Sequence, residues 1–350
     1  MTPRRTAMAA LAVVALVTTG CAATPSGSGP APSEDAAAIE SDGLLTLYSG
    51  RSEDLIGPLI EQFTEATGIE VEARYGSTGE IAALLLEEGN ATPAEVFLSQ
   101  DAGALGALTA AGLASTIPAE LAGAVPAGFT STDGSWVGIT GRARVIAYDG
   151  TQLTEDQVPD SADDLVAPRW NGRVAFAPGN ASFQSFVTGL RVLEGEDAAD
   201  EWVAGMAANA PVLTESNGDS LELVNTGAAQ LGLINHYYWY EAAAEVGADN
   251  MRAQLKFLPG DAGGIMNVTG AAILAGAQGD PDALAFVEYL LSDEGQAYFV
   301  EQTYEYPLVP GVAAPEGLPE LDTLVNPGLD LSDLESVSET QELLAAHGLI

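Results

Sequence analysis

The run Asn235-His236-Tyr237-Tyr238-Trp239-Tyr240 sets two phenols side by side. A phenol is a hard oxygen donor once deprotonated, but its ordinary pKa is about 10. It therefore ionises at neutral pH only against a strong Lewis acid. Ferric iron is such an acid, and adjacent tyrosines at a strand-to-helix turn could place both oxygens on one ion. The same residues could instead form an aromatic patch in the core or a stacking platform for a sugar, and the residue types alone leave these readings open.

Hydrophobic periodicity supplies the elements that would position those phenols. Leu44 to Tyr48 reads as a first strand, and Leu55, Ile56, Leu59, Ile60 and Phe63 share one helical face that Gly68 can stop. Pro58 conflicts with that helix and predicts a kink or a late start. Ile69, Val71 and Ala73 alternate as a strand. Glu80 to Glu88 and Ala102 to Ala111 read as helices, with a short strand from Glu95 to Leu98 between them. A long strand lies within Trp136 to Tyr148. Further on, Leu231 to Asn235 and Val268 to Leu274 read as strands, about Tyr237 to Val246 as a helix, and Pro281 to Val300 as helical with a break near Gly295.

Such alternation predicts α/β lobes with mainly parallel sheets. Ligands then bind beyond the carboxyl ends of the strands. Four loops qualify: Ser49 to Ser52, Ser99 to Asp101, Pro178 to Phe183 and Asn235 to Tyr238. The backbone N–H groups of such loops suit an anion.

Several segments resemble the ferric-ion-binding proteins of bacterial ABC importers. They are Leu47-Tyr48-Ser49-Gly50, Phe63 to Ile69, Pro93 to Phe97, Gly141 to Val145, Leu233 to Trp239 and Glu305 to Leu308, in the family's order and rough spacing. The resemblance implies a two-lobed type II periplasmic-binding-protein fold with the ligand cleft between the lobes. Lobe one would take 43–140 plus 268–318, and lobe two 141–267 plus 319–350. It also implies Fe(III) bound with a synergistic anion, carbonate or phosphate, and a permease as partner. Tyr237 and Tyr238 occupy the family's paired metal positions, and Asn180, Ala181, Ser182 and Asn217 match its anion positions. Arg142 and Arg51 are candidate charge partners, since guanidinium suits forked contacts with oxyanions. On so acidic a chain Arg142 and Arg144 could instead form surface ion pairs, the reading preferred for Arg144.

The chain departs from the family pattern at other ligand positions. Ser52 stands where a histidine is usual, Gln100 where a glutamate is usual, and Phe183 where some members carry a further tyrosine. Gln100 and its neighbour Asp101 are the remaining candidates for iron, with Asp101 having to turn into the cleft. The alternative is the same fold binding an organic anion such as a phosphonate or carboxylate, with the two tyrosines as hydroxyl donors.

Composition narrows the classes. The chain carries 11 basic and 50 acidic residues, so it repels nucleic acid and anionic lipid surfaces. Its two histidines, His236 and His347, are too few for the imidazole-rich iron centres that hydrolyse phosphoesters. No Gly-x-Ser-x-Gly run supplies a nucleophilic serine. A binding protein, not an enzyme, is the expectation, with a small inorganic ligand and a monomeric body.

The N-terminus reads as an export signal over residues 1–20: Arg4 and Arg5, an apolar run from Ala7 to Val17, then small residues before Cys21. The run is too short to span a bilayer. Cys21, the one cysteine in the chain, resembles a lipidation site, although Thr18 stands where such signals usually carry Leu. Residues 21–42, rich in Ala, Pro, Ser and acid, read as a disordered tether. The protein is thus expected outside the cytoplasmic membrane, lipid-anchored to its outer face or periplasmic. Cys21→Ala should move it from the membrane fraction to the soluble fraction; unchanged fractionation would rule the anchor out.

Overall fold

A computed structural model describes residues 40–326 and 328–350. The expected signal 1–20, Cys21 and most of the tether lie outside the described residues. The end of the tether is held in place: Ser41 Oγ donates to Asp282 (2.7 Å), as do the backbone N–H groups of Asp42 and Gly43. Among the described residues no helix is long and apolar enough to cross a membrane.

The first part of the chain runs β1 (Leu44–Ser49), α1 (Glu53–Thr67), β2 (Glu70–Tyr75), α2 (Thr78–Glu88), β3 (Val96–Ser99), α3 (Ala102–Ala110), α4 (Ala119–Ala122) and β4 (Val137–Asp149). Next come β5 (Val174–Phe176), α5 (Ala181–Glu194), α6 (Glu196–Ala208), β6 (Val212–Leu213), α7 (Asn217–Thr226), β7 (Leu231–Asn235), α8 (Tyr237–Val246) and β8 (Ala253–Phe257). The chain closes with β9 (Met266–Ile273), α9 (Pro281–Leu290), α10 (Asp293–Tyr298), β10 (Tyr306–Pro307), α11 (Leu321–Leu324) and α12 (Val337–Ala346).

The strands follow the order β2-β1-β3-β9-β4-β7-β5-β6, with β8 and β10 also paired to β4. The flanks are parallel, as expected: β2, β1 and β3 at one end, and β7, β5 and β6 at the other. The centre is not. β4 runs antiparallel to β7, β8, β9 and β10. The expectation of mainly parallel sheets fails there because β4 belongs to both halves. Its first residues pair with β9 and its last with β7 and β8, so this one strand carries the chain across.

All 13 residues of β4 are buried. One half packs around Leu47, Phe63, Phe97 and Phe286. The other packs around an aromatic run in which Phe183 stacks on Phe176 at 4.6 Å, Phe186 meets Phe183 edge-on, and Trp202 meets Phe186.

Local signals explain most element ends. Gly68 closes α1 at φ +79°, the left-handed region that favours glycine, and its N–H donates to Thr64 O. Pro58 neither kinks nor delays α1, which starts at Glu53. The carbonyl that Pro58 leaves unpaired belongs to Asp54, an exposed residue that water can serve. The break between α9 and α10 comes at Leu291–Ser292, where Ser292 Oγ accepts from Gly295 N at 3.1 Å. Gly295 permits the close approach, since a Cβ there would lie 2.2 Å from Tyr289 O.

The C-terminal segment touches both halves. α12 packs on α5 and α6, while the turn Leu331–Glu335 packs on α3 as well as α5. A Cβ on Gly103 of α3 would lie 2.6 Å from the Leu334 carbonyl. Gly103→Ala should therefore displace that turn and cost about 1–3 kcal/mol, as overpacking does. Urea unfolding measures it, and an unchanged midpoint would show that the turn is not pressed onto α3.

Candidate functional site

The last residue of β7 and the first turn of α8 place the two phenols. His236 is fully buried and tied to β4 twice: its N–H donates to Ala143 O (3.0 Å), and Ala143 N–H donates to His236 Nδ1 (3.2 Å). With Nδ1 accepting, Nε2 carries the hydrogen and donates to Tyr304 O at 2.9 Å. Burial pushes this imidazole down to about 4, so it stays neutral at pH 7. Both ring nitrogens are committed to backbone, so His236 is not free to act as the base of a Ser-His-Asp arrangement. Directly after this tie Tyr237 is buried and Tyr238 half-buried, their rings stacked 4.4 Å apart.

These phenols line a cleft of about 690 Å³ with Arg51, Ser52, Tyr75, Gln100 and Glu241. Burial, then the neighbouring Tyr238, pushes the Tyr237 phenol well above its ordinary value; Arg51 and Arg142 pull the other way and are outweighed. A strong cation in the cleft would reverse that balance.

Arg51 lies at the cleft floor, where its Nη2 donates to Glu305 Oε1 at 2.7 Å and its Nη1 to Thr269 Oγ1 at 3.0 Å. Thr140 Oγ1 donates to the other oxygen of Glu305. Burial works against the charge on Arg51, but Glu305 and the two phenols outweigh it and hold its pKa above the ordinary value. Arg51, proposed from sequence as an anion partner, is thus already paired with a carboxylate.

The sequence-matched anion residues form one network behind Gln100. Asn180 caps α5, its Oδ1 accepting from Ser182 N (3.0 Å) and from Asn217 Nδ2 (3.1 Å). Three donors converge on Ser182 Oγ: Gln100 Nε2, Arg142 Nη1 and Asn235 Nδ2, at 3.2, 3.3 and 3.1 Å. Ala181, the first residue of α5, is half-buried beside them. Gln100 lines the open cleft; Arg142, Ser182 and Asn217 are buried behind it.

Two sequence expectations need correction. Arg144 makes no surface ion pair. It is buried, with Nη1 donating to Asn217 and Asn235 Oδ1 and Nη2 to Leu233 O. Burial pushes it down to about 9, so it remains a cation at pH 7. Arg142 is buried too, with no carboxylate within 4 Å among the described residues. Asp101 does not turn into the cleft. It is buried and caps α3, accepting from Ala104 N at 3.2 Å, because a helix start beginning at Ala102 leaves N–H groups for an Asx side chain to satisfy. Burial also pushes its carboxyl pKa up. Phe183 faces the core, so that position offers no donor.

Three residues of the site carried no role in the sequence reading: Asn235 and Glu305, which lie in matched segments, and Glu241. Burial, and then Glu305, pushes the Glu241 carboxyl up to about 7.

The open cleft presents the two phenols, the Gln100 amide and the paired Arg51, while the residues matched to an anion lie buried behind Gln100. Its floor depends on the Arg51–Glu305 pair. Glu305→Gln leaves a buried guanidinium without its counter-charge and should cost about 3 kcal/mol in urea unfolding. A loss well under about 1 kcal/mol would mean that water screens the pair.

Residues 91–332 match the family model for bacterial extracellular solute-binding proteins. The major ferric iron-binding protein of Neisseria meningitidis is 32% identical over 311 residues, 87% of this chain and 93% of that protein. Iron-bound HitA from Pseudomonas aeruginosa matches with a TM-score of 0.82 at 33% identity, over 87% of this chain and 99% of that one. Trichodesmium IdiA (FutA), solved with iron and citrate, matches at 0.76 and 27% identity, over 88% of this chain and all of that one. With its α/β fold and a cleft lined by the two phenols, the chain belongs to the bacterial extracellular solute-binding proteins, two-lobed binding proteins rather than enzymes.

Proposed function

We propose that this protein binds ferric iron together with a synergistic oxyanion, carbonate or phosphate, and hands it to the permease of an ABC importer. The observation that carries the reading is the stacked pair Tyr237 and Tyr238, held at the cleft by the His236 tie to β4. The relatives named as ferric-iron-binding proteins support it. Two phenolates leave a six-coordinate ferric ion short of donors, and Ser52 and Gln100 are weak ones. An oxyanion fills the gap and meets the cationic network around Ser182.

Ser182 Oγ has two lone pairs for three converging donors, so an anion oxygen beside it would take the surplus hydrogen bond. The lobes, 43–140 with 268–318 and 141–267 with 319–350, would close on the ligand by hinge motion. The protein works as an exported monomer on the outer face of the membrane, anchored through Cys21, or in the periplasm.

Adding Fe(III) to metal-free protein should produce a visible tyrosinate-to-iron charge-transfer band. Iron at 100 times its Kd should stabilise the fold by about 2.7 kcal/mol. Tyr237→Phe and Tyr238→Phe should each weaken or abolish the band with little change in the apo fold. A colourless titration of folded protein would contradict the iron reading and favour an organic anion.

Apparent affinity should rise when carbonate, phosphate or citrate is restored to anion-free buffer, and Arg142→Ala should reduce that rise. Equal affinity in every buffer would contradict the anion assignment of Asn180, Ala181, Ser182, Asn217 and Arg142.

A further inference from the structure

Glu241 lies on α8, four residues after Tyr237 and three after Tyr238. Residues at those spacings are neighbours on a helix surface. Helical side chains also lean toward the helix N-terminus, so a residue covers the turn before its own Cα. From that position a carboxylate can reach back toward the turn that carries the two phenols, and all three side chains line the same cleft.

Its surroundings do not explain it structurally. Glu241 is half-buried, and among the described residues its carboxylate takes part in no hydrogen bond or ion pair. The charges acting on it are Glu305 and Glu245, which repel it, and Arg51, which is already spent on Glu305. A desolvated carboxylate among like charges is costly unless a cation meets it. The other carboxylates on this cleft, Glu53 and Asp54, are exposed at the start of α1. Ser52 and Gln100, which also line the cleft, are neutral.

We propose that Glu241 is a third protein ligand of the ferric ion, so that Tyr237, Tyr238 and Glu241 bind it from one turn of one helix. The proposal rests on the ferric reading of the same cleft. Binding joins a carboxylate oxygen to the metal, with no change of oxidation state.

The test loads the full chain with Fe(III) and titrates it against a competing chelator while recording the charge-transfer band. Glu241→Gln should weaken iron binding by at least about 100-fold, since even outer-shell partners of metal ligands cost 10–100-fold. Its band should move to longer wavelength, because a metal with one fewer anionic donor is a stronger acceptor. Glu241→Asp should recover part of both. Glu245→Gln, at an exposed position one turn further on, removes the same charge and should leave affinity and band near those of the parent.

Parent-like affinity and band in Glu241→Gln, with an unchanged apo melting temperature, would overturn the proposal. Equal losses in Glu241→Gln and Glu245→Gln would overturn it too, since they would reflect only the field of the helix. A parent with no band at all would remove the ferric reading itself, and this assignment with it.

Discussion

Burying guanidinium groups without carboxylates is the constraint that organises this protein. Arg142 and Arg144 alternate along β4, on the same face as Thr140, and all are buried. Arg51 lies at the cleft floor with Glu305, and that pair is internally neutral. The two β4 arginines are held by neutral groups: Ser182, Asn217, Asn235 and main-chain carbonyls. Asp101, whose carboxyl feels the Arg142 charge, is occupied at the start of α3. A desolvated positive charge is costly unless something offsets it. On a chain with 50 acidic residues, these two arginines are thus buried beside Ser182 and Asn217 with no carboxylate paired to them among the described residues.

The same strand connects that field to the phenols. β4 passes from one group of strands to the other, and His236 fastens the start of α8 to it at Ala143 while reaching Tyr304 with its second nitrogen. Tyr304 adopts φ +54°, unusual for a side-chain-bearing residue, directly before Glu305. The carboxylate under Arg51, the imidazole behind Tyr237 and the arginines behind Ser182 are therefore set by one short stretch of β4. A displacement of that stretch would therefore act on all three groups together.

Much of this was legible in the sequence, for identifiable reasons. The strand–helix order was readable because helices such as α1 bury a clear apolar stripe, and the paired tyrosines were conspicuous at a strand-to-helix turn, although their residue types alone left an aromatic patch or a stacking platform open. Arg144 was misread because strand alternation cannot distinguish a polar face turned to water from one buried beneath neighbouring elements. The antiparallel centre was invisible for a related reason: periodicity reports which face is buried and not which way the partner runs. Asp101 carries the cue of a helix cap, an Asx residue immediately before a helix, and that is the role it takes. Glu241 stands at i+4 from Tyr237, a relation that carries little information by itself in a chain with 50 acidic residues.

The central claim is that the phenolates of Tyr237 and Tyr238 bind ferric iron directly. Resonance Raman spectroscopy of the iron-loaded protein, excited within its visible band, tests this at the bond itself. The account predicts enhanced tyrosinate ring modes that diminish when either Tyr237 or Tyr238 is replaced by Phe and vanish when both are. Iron bound with no tyrosinate modes, or modes that survive the double replacement, would contradict it.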